Sequence, residues 1–91
     1  MRIVWTEDVQ LDLTRLDAFL AAVDIRAALR VVDDIYAAAQ RLCEYPELGP
    51  ELGEFPGRNV RRLVIGDYEL RYERAGDVIY ILHAWHVKED R

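Results

Sequence analysis

The amino-acid sequence predicts an α+β domain with the element order β-α-α-β-β-β, a helical hairpin packed on one face of a small antiparallel sheet. Three observations predict it. First, residues 60–85 hold three runs rich in β-branched and aromatic side chains, separated only by Gly66-Asp67 and by Arg74-Ala75-Gly76-Asp77. Short glycine and aspartate turns between such runs signal an antiparallel meander. Second, the middle run alternates, with Tyr68, Leu70 and Tyr72 on one face and Glu69, Arg71 and Glu73 on the other, so one face is buried and one is wet. Third, the preceding half carries two apolar stripes at helical spacing, which supply the cover that the sheet needs.

In chain order, Ile3, Val4 and Trp5 form a short first strand that joins the sheet at one side of the meander. Thr6 is a good N-cap, with Glu7 and Asp8 where a helix dipole favours acids. Val9, Leu13, Leu16, Leu20 and Val23 then make one stripe, in steps of four, three, four and three. Asp24 ends this helix and caps the next. Ala28, Val31, Ile35, Ala39 and Leu42 make the second stripe, widened by Val32, Ala38 and Cys43. Tyr45-Pro46 closes that helix, because the residue before proline is driven out of the helical region. Almost no loop separates the helices, so they form an antiparallel hairpin. Residues 46–59 hold the three prolines and three of the five glycines and read as a loop, with a tight turn near Leu48-Gly49-Pro50. The last run, Val78 to Trp85, is nearly all apolar and reads as a central strand covered on both faces.

The 91 residues make a single domain, 1–91, since neither half could bury its apolar face alone. No stretch approaches a membrane span and the N-terminus has no signal pattern, so a cytoplasmic home without membrane contact is expected. The net charge of −5 is uneven: residues 6–54 hold eleven acids against four arginines, whereas residues 55–91 are nearly balanced. An acidic chain does not favour non-specific nucleic-acid binding, although a local arginine patch could. The lone Cys43 reads as a buried apolar side chain. No Cys/His cluster suggests a metal, no glycine-rich phosphate loop is present, and no cofactor is expected. The chain has no serine, which removes serine-type hydrolysis.

Two constellations remain. His83 and His86, three apart, fall on opposite faces of a strand, so they do not share a metal. His86 is the better placed for proton transfer; otherwise both are ordinary half-buried histidines. Arg58, Arg61, Arg62, Arg71 and Arg74 gather on the sheet and its approach, and Arg71 lies beside either Arg61 or Arg62, depending on register. They would hold phosphate or a partner's carboxylates, or form a solvated face with Glu69 and Glu73. A third feature is surplus grease. Leu11, Phe19, Ile25, Leu29 and Tyr36 lie outside the two stripes and suggest a partner surface on the hairpin.

The element order, together with residues 27–35, Leu42-Cys43-Glu44-Tyr45-Pro46-Glu47-Leu48-Gly49, Arg61-Arg62-Leu63-Val64-Ile65-Gly66-Asp67-Tyr68 and residues 81–90, resembles the RelE/ParE superfamily of type II toxin–antitoxin toxins. The likeness runs over nearly the full length. The helix ending in Tyr45-Pro46-Glu47-Leu48-Gly49 and the closing Trp85-His86-Val87-Lys88-Glu89-Asp90 look most like the ParE side. This resemblance implies a small toxin, associated with plasmid stabilisation, neutralised by a cognate ParD-like antitoxin whose segment folds on binding. A ParE-like member inhibits DNA gyrase and replication by binding. The partner-binding residues would then be Leu11, Phe19, Leu29 and Tyr36 on the hairpin, with Arg61 and Arg71 on the sheet. A RelE-like member is instead a ribosome-dependent mRNA endoribonuclease, with His86 as acid or base and Arg62 and Lys88 steadying phosphate. The chain departs from that branch: it is acidic, has one lysine, and has no Tyr or Phe after Trp85. A third expectation is a member that binds its antitoxin and does little else.

Overall fold

The computed structural model describes residues 1–89; Asp90, which ends the tail segment quoted above, and Arg91 lie outside the described residues. The elements are β1 (Arg2–Trp5), α1 (Glu7–Ala21), α2 (Ile25–Glu44), β2 (Asn59–Ile65), β3 (Tyr68–Ala75) and β4 (Val78–His86). This is the predicted order and the predicted α+β class.

Local chemistry explains the boundaries. Thr6 caps α1 by accepting a hydrogen bond from Val9 N at 3.3 Å. Asp24 caps α2 by accepting from Arg26 N at 3.0 Å and Ala27 N at 3.3 Å. The two hairpin turns of the meander each begin with a glycine of positive φ, Gly66 at 58° and Gly76 at 59°. Glycine in the first place of a two-residue loop suits a type II′ turn, whose twist matches the flanking strands.

The four strands form one open sheet in the order β1-β4-β3-β2. β2, β3 and β4 are the antiparallel meander, whereas β1 pairs parallel with β4, Ile3 against Ile79 and Trp5 against Ile81. The sheet is therefore mixed rather than wholly antiparallel. Parallel neighbours need a long connection, and here the whole hairpin and meander intervene between them.

β1 is short, so half of β4 would be left as a bare edge. α1 covers it with side chains. Thr6 Oγ1 donates to Ile81 O at 2.7 Å, and Asp12 Oδ2 accepts from Ala84 N at 3.0 Å. An edge satisfied in this way offers no template for unwanted strand pairing.

The core lies between the hairpin and one sheet face. Val9, Leu13 and Leu16 of α1 and Ile35, Ala39 and Leu42 of α2 meet Leu70, Tyr72, Ile79, Ile81 and Ala84. Both predicted stripes are thus core-facing, but not to their ends. Leu20 is only half-buried and Val23 is 82% exposed, because the hairpin tip extends past the sheet. Cys43 is half-buried rather than enclosed. β4 is central as expected, yet only its hairpin side is fully buried. Val78, Tyr80, Leu82 and Trp85 on its other side remain half-exposed.

Loop 45–58 is tied down by Tyr72 and by three residues of β2, Val60, Arg61 and Arg62. Tyr72 OH accepts from Gly49 N at 2.9 Å and donates to Pro46 O at 3.0 Å. Arg61 donates to Gly49 O at 2.8 Å. Pro50 O and Leu52 N bond to Arg62 N and Val60 O, extending the ladder past β2. Tyr72→Phe leaves two loop groups without their partner, so it is expected to destabilise the fold by about 1–3 kcal/mol, the usual cost of unmet buried polar groups. Urea unfolding checks this; an unchanged midpoint would mean that the loop finds other partners.

Candidate functional site

The fold presents two separate surfaces, the outside of the hairpin and the sheet face turned away from it. The residues singled out from sequence divide between them.

On the hairpin, Leu11, Phe19, Ile25, Leu29 and Tyr36 are all exposed. They do not form one patch. At 100° per residue Leu11 points directly away from the core, and Phe19 lies on the flank that carries Asp12 and Arg15. Leu29 and Tyr36 lie on the other side, where with Val32 they face Leu13, Thr14 and Asp17 of α1 across a groove of about 330 Å³. Tyr36 also packs on Trp5, with ring centroids 4.5 Å apart. This groove is an apolar slot with an acidic lip.

On the open sheet face, register decides which arginines meet. Arg62 stands directly opposite Arg71, whereas Arg61 stands opposite Tyr72 and so points to the hairpin side. Of the two pairings the sequence left open, the Arg62–Arg71 pairing forms. The Arg61 side chain is 12% exposed, and its bonds to Gly49 O and Asn59 Oδ1 make it an anchor of the loop. Arg61 and Arg71, expected together on a partner surface, are therefore separated by the sheet.

Like charges directly across a strand pair repel. Glu69 offsets this here: its carboxylate is 2.9 Å from Arg71 and 3.7 Å from Arg62, with its side chain only 3% exposed. Nothing in the alternating pattern marked Glu69 as buried, since its strand face was expected to be wet. The Arg71 guanidinium lies 4.8 Å from the centre of the Trp85 ring, a cation–π contact. Arg71 Nε is buried and has no hydrogen-bond acceptor among the described residues.

A bulge in β4 completes this face. Tyr72 pairs with Ile81 but Arg71 pairs with His83, so Leu82 is the extra residue. Leu82 and His83 consequently both line the outer face. His83 stacks on Trp85 at 4.9 Å and its Nδ1 is 2.9 Å from Asp12 Oδ2. Loop 45–58 closes one side with Phe55 and Arg58. Together they leave a cavity of about 450 Å³, floored by Val60 and Leu82.

Arg58 makes two bonds to Glu73, at 3.0 and 2.6 Å. That hydrogen-bonded guanidinium holds the Glu73 carboxyl below its ordinary 4.5, and the carboxylate in turn raises Arg58. A carboxyl whose folded value is depressed stabilises above its unfolded value, and that contribution is lost as pH falls through the folded one. Glu73→Gln is therefore expected to lower the thermal midpoint at neutral pH and to lose less than the wild type between pH 5 and about pH 3, the range below the usual carboxylate value. Equal acid sensitivity of the two proteins would remove Glu73 from the acid response.

Of the residues expected for nuclease chemistry, His86 and Lys88 are neighbours at the closing turn, whereas Arg62 is not brought to them. Arg62 shares a face with Arg71 and His83. His86 pairs with Tyr68 on the hairpin side, where the two rings meet edge-to-face at 5.2 Å. His86 Nδ1 accepts from Lys88 N, and His86 N donates to Glu89 Oε2. The Lys88 side chain is exposed in the closing turn. Glu89 in turn pairs with Arg15 of α1, which fixes this turn against the hairpin. As their spacing predicted, His83 and His86 lie on opposite faces. Among the described residues no group of three His, Cys, Asp or Glu could hold a metal ion, and no helix is long and apolar enough to cross a membrane.

A two-helix hairpin laid over one face of a four-stranded sheet, with the other face open, is the architecture of the RelE/ParE superfamily. The chain belongs to the ParE family: the model for "ParE toxin of type II toxin-antitoxin system, parDE" matches residues 3–91. A solved chain titled "Chromosomal ParDE TA system from P. aeruginosa" is similar in fold, with a TM-score of 0.78 and 23% identity over 94% of this chain and 95% of that one. No curated protein matches the sequence.

Proposed function

We propose that this ParE-family toxin acts by binding DNA gyrase and blocking replication, and that a cognate ParD-like antitoxin neutralises it by covering the hairpin. The observation that carries the choice of binding over catalysis is the separation of His86 from Arg62. A ribonuclease needs its acid or base and its phosphate-binding cations around one reacting group. Here the histidine and the arginine lie on opposite faces of the sheet. The arginines of the open face are also matched by carboxylates of the same face, which leaves little positive charge for an RNA backbone.

The antitoxin reading is supported by the hairpin groove. Its apolar walls and acidic lip suit a segment with apolar side chains that folds as it binds. The cytoplasm is the compartment in which such a toxin would meet both partners.

The test is induction of the chain alone in a bacterial host with parallel pulse-labelling of DNA and protein synthesis. DNA synthesis is expected to stop first, and His86→Ala is expected to arrest growth within about threefold of the wild type, since a residue outside the binding contacts contributes little. Immediate loss of protein synthesis with cut mRNA, abolished by His86→Ala, would establish the endoribonuclease instead.

A further inference from the structure

We propose that the cavity on the open sheet face is the docking pocket for the toxin's target, and that it takes an aromatic or large aliphatic side chain from a protein surface. This deepens the reading that the toxin works by binding a protein, and rests on it.

The pocket has the composition of an interface anchor site. Phe55 and Trp85 face it, Val60 and Leu82 floor it, and Arg71 and His83 form its polar wall. Tryptophan and arginine around a desolvated slot are what concentrates binding energy in protein interfaces. Its volume of about 450 Å³ accommodates a whole aromatic side chain with room to enter.

Charge selects the occupant. Arg58 is held by Glu73, while Arg62 and Arg71 share Glu69. Asp8 stands on the pocket's rim and Asp12 is bonded to His83. These three guanidiniums thus meet two carboxylates, and Asp8 offsets the remaining charge, while Asp12 is already shared between His83 and Arg15. A phosphate entering here would displace an ion pair and meet no net positive field. A neutral ring loses nothing on entering and gains the apolar floor and the two aromatic walls.

Position supports the same conclusion. The pocket opens on the sheet face opposite the hairpin groove, so a segment lying in that groove leaves the pocket unobstructed. Phe55 sits in loop 45–58, outside every helix and strand, so it can be changed without disturbing the sheet.

The experiment has two arms. In the first, the purified full-length chain is titrated with p-cresol and with indole, as side-chain probes, and with a single-stranded RNA octamer, followed by nuclear magnetic resonance. Both aromatic probes are expected to shift the Phe55, Leu82 and Trp85 signals with saturation, and Phe55→Asp to weaken this at least tenfold while the rest of the spectrum stays native. Tighter shifts of these signals by RNA, or no localised shift by either aromatic probe, would overturn the proposal. In the second arm Phe55→Asp and Leu82→Lys are induced in cells. Loss of growth arrest by both, with antitoxin binding within threefold of wild type, supports the pocket. Full arrest by either folded variant overturns it, even if the probes bind. A wild-type chain that causes no arrest refutes the toxin function itself, and the titration then decides the pocket.

Discussion

Gly49→Ala is expected to lower the thermal midpoint by on the order of 10–20 °C, because Gly49 is the one glycine at which an added Cβ would meet other atoms within 4 Å. A Cβ at Gly49 would lie 2.1 Å from Arg62 O and 2.8 Å from Arg62 C, both backbone atoms of β2. Neither can swing aside as a side chain would. Relief requires loop 45–58 to lift from the sheet, and three of the loop's bonds lie at this point. Gly49 N donates to Tyr72 OH, Gly49 O accepts from Arg61, and Pro50 O accepts from Arg62 N. Overpacking in a rigid site costs about 1–3 kcal/mol, and losing the loop's bonds takes the total to the upper end. Each kcal/mol moves the midpoint of a domain of this size by about 4–8 °C. Gly53→Ala in the same loop is the control, because a Cβ there meets nothing within 4 Å. Its midpoint should stay within about 4 °C of the wild type, the shift expected for a surface change of up to about 0.5 kcal/mol. Similar midpoints for the two variants would show that β2 and the loop can part without cost.

Leu29→Asp is expected to weaken antitoxin binding about 100-fold, which corresponds to about 2.8 kcal/mol at about 1.4 kcal/mol per decade. Leu29 lines the hairpin groove with Val32 and Tyr36 and is 60% exposed before any partner binds. An aspartate there is solvated in the free toxin and costs the fold little. In the complex it would be a buried carboxylate beside Asp17, and an unpaired buried charge is expensive. Phe19→Asp is the comparison. Phe19 is also exposed, at 71%, but it lies on the opposite flank of α1, so a segment seated in the groove does not reach it. Calorimetric titration of both variants with the cognate antitoxin separates the possibilities. Equal losses would mean that the antitoxin wraps the whole hairpin. A larger loss for Phe19→Asp would place it on the outer flank of α1 and overturn the groove assignment. Leu11, pointing straight out, measures how far the contact extends.

Together the two variants separate folding from recognition. The first acts on packing between a loop and a strand. The second leaves packing alone and acts only when a partner arrives.

The local signals in this chain were strong and they point to real elements. Thr6 and Asp24 cap the helices they precede, Tyr45-Pro46 ends α2, and Gly66 and Gly76 open the two hairpin turns. The stripe Ala28, Ile35, Ala39 and Leu42 is buried as its spacing requires. Helical periodicity failed only where the hairpin outruns the sheet. Val23 continues the pattern but meets no strand, because periodicity records which way a side chain points and not whether anything stands opposite.

The candidate sites were less legible. Grease beyond the two stripes did mark exposed hairpin residues, yet it could not show that Leu29 and Tyr36 share a groove while Leu11 and Phe19 do not. The wet face of β3 reads as solvated, but Glu69 is buried between Arg62 and Arg71. The outer cavity was invisible beforehand, since it needs Phe55 of the loop and Leu82 of a bulge on the same side of the sheet.

By itself, then, the sequence determined the elements, their order, the caps and turns between them and most of the core. These follow from interactions within a few residues, or from a periodicity that any partner layer would satisfy. Only the tertiary structure decided the parallel docking of β1, the register that sets Arg62 against Arg71, the β4 bulge and the separation of Arg62 from His86. A register shift of one residue leaves composition and periodicity unchanged while turning every side chain to the other face. The choice is made by the fit of the whole sheet against the hairpin, and with it the choice of which residues can act together.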